Sequence, residues 1–211
     1  GIALDGDADR IVLVDEKGKV VDGDQILAAL ANAWLKTDDL NGDGIVASVM
    51  SNLGLELYLN SKGLKLCRTH VGDRYVLEYM RQHGFNLGGE QSGHIILSDY
   101  ASTGDGIIAA LQVLSIALTQ GKPISDITRL FEPFPQLLRN IKVKDANKFD
   151  DTILRSISET AETQIGKMGR VLIRKSGTEQ VLRVMVESED EVLMLKLVDE
   201  INSKLLECEA K

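Results

Sequence analysis

The sequence predicts an α/β protein in which a parallel layered α/β domain is followed by a small α+β domain. Between residues 20 and 131, short apolar runs alternate with longer segments of helical periodicity. That order is typical of a parallel sheet, because each crossover to a parallel strand needs a connecting helix. After Pro133 and Pro135 the order over residues 137–211 becomes strand, helix, strand, strand, helix. This predicts a βαββα unit with an antiparallel pair at its centre.

Residues 1–19 contain two apolar runs, Gly1–Leu4 and Ile11–Val14, on either side of an acidic turn. Two such strands are too small for a domain. We therefore expect them to be the last strands of a truncated α/β domain. The first residue is not Met and no basic segment typical of a signal peptide precedes the apolar run, so we expect the chain to start inside a longer polypeptide.

Four helices are predicted in the central domain from apolar residues spaced three and four apart, with capping side chains at several starts. They run from Asp22 or Asp24 through Leu35, from Asn52 to about Lys62, from Arg74 to His83, and from Thr103 through Leu118. Strands are predicted at 45–49, 64–68, 85–87 and 94–97. In parallel sheets of this kind, ligands bind at the loops that follow the carboxyl ends of strands.

In the last domain, strands are predicted at 140–143, 170–173 and 181–187, and helices at 148–165 and 191–206. The third of these strands alternates two kinds of side chain, which predicts a half-exposed strand. The alternating sets are Leu182, Val184 and Val186 against Arg183, Met185 and Glu187.

Composition excludes several classes of partner and site. The formal net charge of −8 argues against nucleic acid or an anionic membrane as a partner, although it allows a small phosphorylated ligand. Cys67 and Cys208 are the only cysteines and belong to no Cys/His cluster. That pattern excludes a disulfide framework and a zinc site, and it favours a reducing cytoplasm. No apolar run approaches the roughly 20 residues that span a bilayer.

The first loop with chemistry places Asp5, Asp7 and Asp9 at alternating positions. Oxygen ligands without nitrogen or sulfur favour Mg²⁺, Mn²⁺ or Ca²⁺ over zinc, and the adjacent Arg10 suggests that a phosphate completes the shell. A solvated acidic turn is one alternative. An EF-hand is another, since these aspartates and Glu16 occupy loop positions 1, 3, 5 and 12, but Arg10 replaces the glycine required at position 6.

The second loop, residues 88–94, carries Glu90, Ser92 and His94 between glycines. A carboxylate, a hydroxyl and an imidazole that share one space can hydrogen-bond the hydroxyls or amino group of a sugar. An ordinary glycine-rich turn is the alternative. His70, in a loop that follows another predicted strand, is an additional candidate.

The third loop, residues 174–180, combines cationic side chains and hydroxyls around a glycine, which favours an anion site. Arginine can bind a phosphate with two parallel hydrogen bonds. A plain hairpin turn is the alternative. The candidate phosphate ligands are Arg174, Ser176, Gly177, Thr178 and Arg183, with Lys175 as an additional candidate.

Together the three loops resemble the α-D-phosphohexomutase superfamily. Its metal loop reads D-G-D-x-D-R, its sugar loop G-E-x-S-G-H and its phosphate loop R-x-S-G-T-E-P. The corresponding segments here are 5–10, 89–94 and 174–180. Three further segments look most like the branch that acts on glucosamine phosphates: 50–56, 71–76 and 182–187.

The resemblance implies a four-domain enzyme, of which this chain holds the end of domain 2 and all of domains 3 and 4. The implied reaction interconverts a hexosamine 6-phosphate and 1-phosphate through a phosphoserine enzyme and a bisphosphorylated sugar, for cell-wall precursor synthesis. Asp5, Asp7 and Asp9 would hold one Mg²⁺, and Arg10 and His94 would act in catalysis. The implied partners are a sugar phosphate and the upstream domains of the same polypeptide; the oligomeric state stays open.

Two departures from the family pattern affect these expectations. Gln180 stands where the phosphate loop usually has proline, so that loop is expected to be less rigid. The serine loop of the family, S-x-S-H-N-P, does not occur in this sequence. We therefore expect this chain by itself to be inactive and to bind metal weakly, because the phosphoserine would complete the metal shell.

Two other functions remain open at this stage. A related mutase that acts on mannose or glucose phosphates would share every loop. A module that binds phosphosugars or calcium without catalysis would share some of them.

Overall fold

The structure is a computed structural model that describes residues 1–176 and 179–210. The chain divides into two compact units, residues 1–133 and 134–211. The boundary lies between Pro133 and Phe134, within the proline-containing segment where a linker was expected. The first 19 residues, expected to belong to a preceding domain, are part of the first compact unit.

The first unit contains seven strands and five helices. In chain order they are β1 (Ile2–Leu4), β2 (Ile11–Val14), β3 (Val20–Val21), α1 (Gly23–Thr37), β4 (Gly44–Ser48), α2 (Leu53–Ser61), β5 (Lys65–Thr69), α3 (Asp73–His83), β6 (Leu87–Gly89), β7 (Ile95–Leu97), α4 (Gly106–Gln120) and α5 (Ile124–Thr128). Neither β3 nor α5 was predicted, because two and five residues are too few to show a periodicity.

The strands of this unit form two sheets. The first is antiparallel, in the order β1-β2-β3, and the second has the order β5-β4-β6-β7. In the second sheet β4 pairs parallel with both β5 and β6, but β7 pairs antiparallel with β6, with Leu87 opposite Leu97. The predicted layered α/β domain with parallel strands is thus present, and its sheet is mixed because β7 adds an antiparallel edge. The connection Glu90–His94 is too short for a parallel crossover, so it forms a hairpin.

Helix starts follow the local capping chemistry. Asp22 caps α1 by accepting a hydrogen bond from the Gln25 N–H at 3.0 Å, and Asn52 caps α2, as predicted. The predicted cap of α4 was wrong. Asp105 rather than Thr103 accepts the hydrogen bond, from the Ile108 N–H at 2.9 Å, because the chain still pairs with the second sheet at Gly104.

The turn between β2 and β3 is tied to the region of α5. The Asp15 carboxylate accepts hydrogen bonds from the N–H groups of Lys17 and Lys19 and from the Arg129 guanidinium. Burial alone would raise the pKa of Asp15, but these hydrogen bonds together hold it below its usual value. Asp15 is thus a buried carboxylate with a structural role.

The second unit contains β8 (Gln136–Lys142), α6 (Asp151–Ile165), β9 (Gly169–Lys175), β10 (Val181–Ser188) and α7 (Glu191–Ala210). Its sheet is antiparallel in the order β8-β10-β9. The side chains of Leu182, Val184 and Val186 pack in one core with apolar residues of both helices. Among the described residues of the chain, no helix is both long enough and apolar enough to cross a membrane.

The prediction that β10 is half-exposed was wrong. Met185 and Glu187, on the face away from the helices, are 1% and 0% exposed. β10 is the central strand, so side chains of both neighbouring strands, β8 and β9, lie beside these residues. Glu187 is further enclosed by Arg170, whose Nε donates to it at 2.9 Å, and by Gln136.

Candidate functional site

The acidic turn joins β1 to β2, and its three aspartates converge. Asp5, Asp7 and Asp9 each offer a carboxylate oxygen, and these oxygens all lie within 4.8 Å of one another. The turn closes because Ala8 adopts the left-handed conformation, at φ 60°. The Asp5 carboxylate also accepts a hydrogen bond from the Arg10 N–H at 3.2 Å. The described part of the chain contains no second cluster of this kind.

This cluster fits a divalent cation with oxygen ligands. The Oδ1 atom of Asp9 is buried and has no hydrogen-bond partner among the described residues, as expected of an atom that faces an ion. Carboxylates this close repel one another unless a cation lies between them, and oxygen donors favour Mg²⁺ or Ca²⁺ over zinc. The strand β2 follows the turn directly, which excludes an EF-hand because that loop is followed by a helix.

The acidic turn is bonded directly to the second loop. Arg10 and His94 form an antiparallel β-bridge, and the Ile11 N–H donates to the Gly93 carbonyl at 3.0 Å. Gly93 has φ 93°, and a Cβ there would lie 2.0 Å from the Ile11 carbonyl oxygen. Only glycine permits this approach. The Arg10 side chain is exposed and can reach a ligand beside the turn.

The buried side chain of His94 contacts the acidic turn at Asp9. Its Nδ1 lies 3.1 Å from Asp9 Oδ2, and the residue is only 2% exposed. Gly104 lies flat against the ring, since a Cβ there would be 2.3 Å from Nε2. On the other side, Asp73 Oδ2 lies 3.8 Å from Nε2. The ring therefore lies against Asp9 and is almost completely buried.

Glu90 and Ser92 line one open pocket, which we call the loop pocket. It has a volume of ≈ 270 Å³. Its lining residues are Ser48, Met50, Val71, Glu90, Gln91 and Ser92. His94 was expected in the same space but is absent from this lining, because it turns towards Asp9. His70 also lies outside the lining, with its exposed ring edge-on to Tyr75 at 5.6 Å between centroids.

Glu90 is held in place from the neighbouring helix. Its Oε1 accepts a hydrogen bond from the Gly72 N–H, at the start of α3, at 2.9 Å. The peptide N–H of Glu90 donates to the His94 carbonyl at 2.9 Å. A carboxylate accepts several hydrogen bonds, so Glu90 can bind a ligand amino or hydroxyl group while it keeps the bond to Gly72.

In the second unit, Arg174 on β9 and Arg183 on β10 stand directly opposite each other. The Nε atoms of both are buried and have no hydrogen-bond partner among the described residues. Burial, together with the positive charge of Arg183, lowers the pKa of Arg174. Two adjacent guanidinium groups with unpaired donors are able to hold an anion between them. Lys175 lies on the opposite face of β9, because side chains alternate along a strand.

The loop that follows β9 is anchored at both ends. Ser176 donates its N–H to the Val181 carbonyl at 3.0 Å. Gln180, in the position of the usual proline, accepts a hydrogen bond from the Ala146 N–H at 2.9 Å. The side chain of Gln180 thus supplies a constraint of its own. The predicted phosphate ligands Gly177 and Thr178 lie outside the described residues.

The sequence analysis did not identify Ser48, Met50 or Gln91 as pocket residues. Ser48 is the last residue of the parallel strand β4 and Met50 follows it, at the carboxyl end where α/β sheets bind ligands. That rule could have found them. Asp24 accepts a hydrogen bond from the Asn52 N–H, near these residues. The sequence carries no sign of this contact, because an aspartate at a helix start is usually an exposed cap.

Comparisons with known proteins give one consistent result. The family model "Phosphoglucomutase/phosphomannomutase, alpha/beta/alpha domain III" matches residues 22–134. The model "Phosphoglucomutase/phosphomannomutase, C-terminal domain" matches residues 138–204.

Among curated relatives, the phosphoglucosamine mutase of Brucella anthropi is 57% identical over 201 residues, which are 95% of this chain and 45% of that protein. The phosphoglucosamine mutase of Parvibaculum lavamentivorans is 56% identical over the same shares. The chain thus spans about half the length of the curated relatives that it matches.

Among solved structures, the N-acetylphosphoglucosamine mutase of Aspergillus fumigatus, in complex with GlcNAc-6P and magnesium, has a TM-score of 0.78 at 23% identity. The match covers 99% of this chain and 48% of that one. A phosphoglucomutase/phosphomannomutase family protein from Burkholderia thailandensis has a TM-score of 0.79 at 24% identity, over 99% and 46%. These structures show that the fold is shared.

Proposed function

The chain belongs to the phosphoglucomutase/phosphomannomutase family, and we propose that it is the C-terminal part of a phosphoglucosamine mutase. The whole protein would interconvert glucosamine 6-phosphate and glucosamine 1-phosphate for cell-wall precursor synthesis in the cytoplasm. The choice of sugar is supported by relatives of that name at 55–57% identity.

In the proposed reaction, an upstream phosphoserine transfers its phosphoryl group to the free hydroxyl of the sugar monophosphate. The resulting bisphosphorylated sugar then reorients within the site, so that its other phosphate faces the serine. The phosphoryl group at the other end then returns to the serine, which leaves the isomeric monophosphate and regenerates the enzyme. This chain supplies the groups that bind and orient the sugar and its phosphates, because positioning and charge stabilisation carry most of phosphoryl transfer.

The acidic turn would hold one Mg²⁺ through Asp5, Asp7 and Asp9, and the ion would neutralise charge on the transferring phosphoryl group. His94 would keep Asp9 oriented towards the ion. The exposed guanidinium of Arg10 would bind a phosphate oxygen beside the turn.

The loop pocket would bind the sugar ring. Glu90 is a negatively charged acceptor, which suits the protonated amino group of glucosamine, and Ser92 can bond a hydroxyl. In the second unit, Arg174 and Arg183 would bind the phosphate that does not react, together with Ser176, Gly177 and Thr178.

One observation carries the proposal most directly. The acidic turn is bonded to the loop that carries Glu90 and Ser92, through the Arg10–His94 bridge and the His94–Asp9 contact. A divalent cation site and a polar pocket on connected loops are the two requirements for a reaction between a phosphorylated group and a sugar hydroxyl.

The test is to titrate the chain with glucosamine 6-phosphate, glucose 6-phosphate and mannose 6-phosphate, using NMR chemical shifts. We expect glucosamine 6-phosphate to bind about tenfold more tightly than the other two, the size of one charge-assisted hydrogen bond. The Glu90→Gln variant should lose this preference.

Asp126→Asn, which changes an exposed carboxylate of the same unit outside the loop pocket, is the matched control and should keep the preference. Equal affinity of the wild-type chain for all three sugars would contradict the assignment of glucosamine. Absence of binding to any of them would contradict the sugar pocket itself.

A further inference from the structure

Two walls of the loop pocket meet the same turn of one helix. One wall is the Glu90–Ser92 segment, and the other is the Ser48–Met50 segment at the end of β4. Two adjacent residues in the first turn of α1 connect to these walls: Gly23 contacts the first wall, and Asp24 is hydrogen-bonded to Asn52, two residues beyond the second.

Gly23 is pressed against the Glu90 wall. Its N–H donates to the Gln91 carbonyl at 3.0 Å. A Cβ on Gly23 would lie 2.1 Å from the Glu90 carbonyl oxygen and 2.8 Å from the Gly93 nitrogen. Because these neighbours are backbone atoms, they cannot move aside as a side chain would. The start of α1 is therefore fixed relative to this wall.

Asp24 is hydrogen-bonded to Asn52, which follows the second wall in the chain. Its Oδ2 accepts a hydrogen bond from the Asn52 N–H at 2.8 Å, and both residues are buried. The segment before Asn52 is folded back on itself, since the Ser51 N–H donates to the Ser48 carbonyl at 3.1 Å and the Met50 N–H to Ser48 Oγ at 3.3 Å. A bond to Asn52 thus positions the whole Ser48–Asn52 turn.

The carboxyl of Asp24 is an unfavourable group to bury. Burial is the main reason that its pKa rises to about 7, and the negative charge of Asp22 adds to the rise. The N–H of Asn52, the Ser51 hydroxyl and the Arg68 charge act in the opposite direction and lower the pKa. An amide of the same shape would accept the same hydrogen bond without the desolvation of a charge. The hydrogen bond from Asn52 therefore requires an acceptor oxygen at this position, and it does not require the negative charge.

We infer that Asp24 is a positioning residue for the loop pocket, which fixes the Ser48–Asn52 turn relative to the Glu90–Ser92 segment through the first turn of α1. The inference rests on the proposed function, since it assumes that a sugar phosphate is the ligand of this pocket. Asp24 itself touches no ligand. Its effect on binding comes from the bond to Asn52.

The first measurement is the dissociation constant of glucosamine 6-phosphate for three variants of the chain. Asp24→Ala removes the acceptor and should weaken binding about tenfold, as expected for the loss of one buried hydrogen bond. Asp24→Asn keeps an acceptor oxygen and should stay within about twofold of wild type. Asp15→Ala removes a buried carboxylate of the same unit that contacts neither wall and should leave binding unchanged. If Asp24→Ala does not fold, Asp24→Leu takes its place, since leucine has a similar shape and no acceptor.

The second measurement needs no ligand. Amide hydrogen exchange should show that Asp24→Ala lowers the protection of the Asn52 N–H and also of the Gly23 N–H, whereas Asp24→Asn restores both and Asp15→Ala affects neither. Unchanged affinity in Asp24→Ala, alongside clear binding by wild type, overturns the inference and leaves the proposed function intact. If wild type binds no sugar phosphate, the proposed function fails. The exchange data then decide the inference. It is overturned if Asp24→Ala lowers the exchange protection of the Asn52 N–H but not that of the Gly23 N–H.

Discussion

At the scale of single residues, the first unit buries two carboxylates for different reasons. Asp15 is surrounded by N–H donors and a guanidinium, and the net effect of its surroundings lowers its pKa. Asp24 has one strong N–H donor, and burial dominates, so its pKa rises to about 7. The difference lies in the number of donors that face each carboxylate, since hydrogen bonds to the charged form offset desolvation.

The raised pKa of Asp24 predicts a stability that depends on pH. The folded state favours the protonated carboxyl, so this contribution is fully present below the ordinary aspartate pKa of 3.8 and is lost as the pH rises through about 7. Between pH 5 and pH 8, wild type should lose about 2 kcal/mol of unfolding free energy relative to Asp24→Asn. Urea unfolding followed by the fluorescence of Trp34, which lies in α1, measures this. Parallel pH profiles for the two proteins would contradict the assignment.

At the scale of elements, the strand pair β9–β10 presents like charges on one face. Arg174 and Arg183 are directly opposite, and like charges in that position are destabilising. The pair persists on a sheet whose other face packs two helices. Gln180 restrains the connecting loop through Ala146. This arrangement supports the proposal that an anion neutralises the two guanidinium groups.

Replacing Arg174 should separate stability from phosphate binding. In a phosphate-free buffer, Arg174→Met should raise the melting temperature slightly, because it removes a like-charge contact worth about 0.2–1 kcal/mol. It should also weaken the binding of inorganic phosphate at least about tenfold, since charge-assisted hydrogen bonds contribute roughly 1.5–3 kcal/mol each. Arg174→Lys should recover only part of the affinity, because an ammonium lacks the forked geometry.

Calorimetry with and without phosphate measures both effects. Arg155→Met is the matched control, because Arg155 is an exposed arginine of α6 that pairs with Glu159. If Arg174→Met and Arg155→Met respond alike to phosphate, the strand pair is not an anion site.

At the scale of the whole molecule, the chain spans 45% of the length of its curated relatives, and its two units match the third and fourth domains of the family. The acidic turn and the loop pocket lie in the first unit, and the arginine pair lies in the second.

We predict that residues 1–211 bind sugar phosphate without converting it. The sequence contains no S-x-S-H-N-P segment, and no other serine stands in the setting that the family uses for its phosphoserine. Phosphorus NMR of purified chain with glucosamine 6-phosphate, Mg²⁺ and a catalytic amount of glucose 1,6-bisphosphate measures conversion directly. Glucosamine 1-phosphate formed by a preparation free of longer enzyme would show that the chain carries its own phosphoryl acceptor.

The sequence by itself determined the longer helices and strands and the chemical character of the loops, whereas β3 and α5 were too short to be predicted. Asp22 and Asn52 mark the starts of α1 and α2 because capping depends on neighbours within three residues. The alternation in Asp5, Asp7 and Asp9 indicated a cation site for the same reason: its geometry is local. The fold class followed from the order of the elements, which tertiary contacts do not alter.

Only the tertiary structure decided which side chains share a space. His94 reads as a partner of Glu90 and Ser92, yet the bridge to Arg10 turns it towards Asp9. β10 reads as half-exposed, yet its central place in the sheet buries Glu187. Asp24 reads as a helix cap, yet the approach of Asn52 makes it a support of the pocket. Each of these outcomes depends on contacts between segments that are distant in sequence, and periodicity and capping patterns carry no information about such contacts.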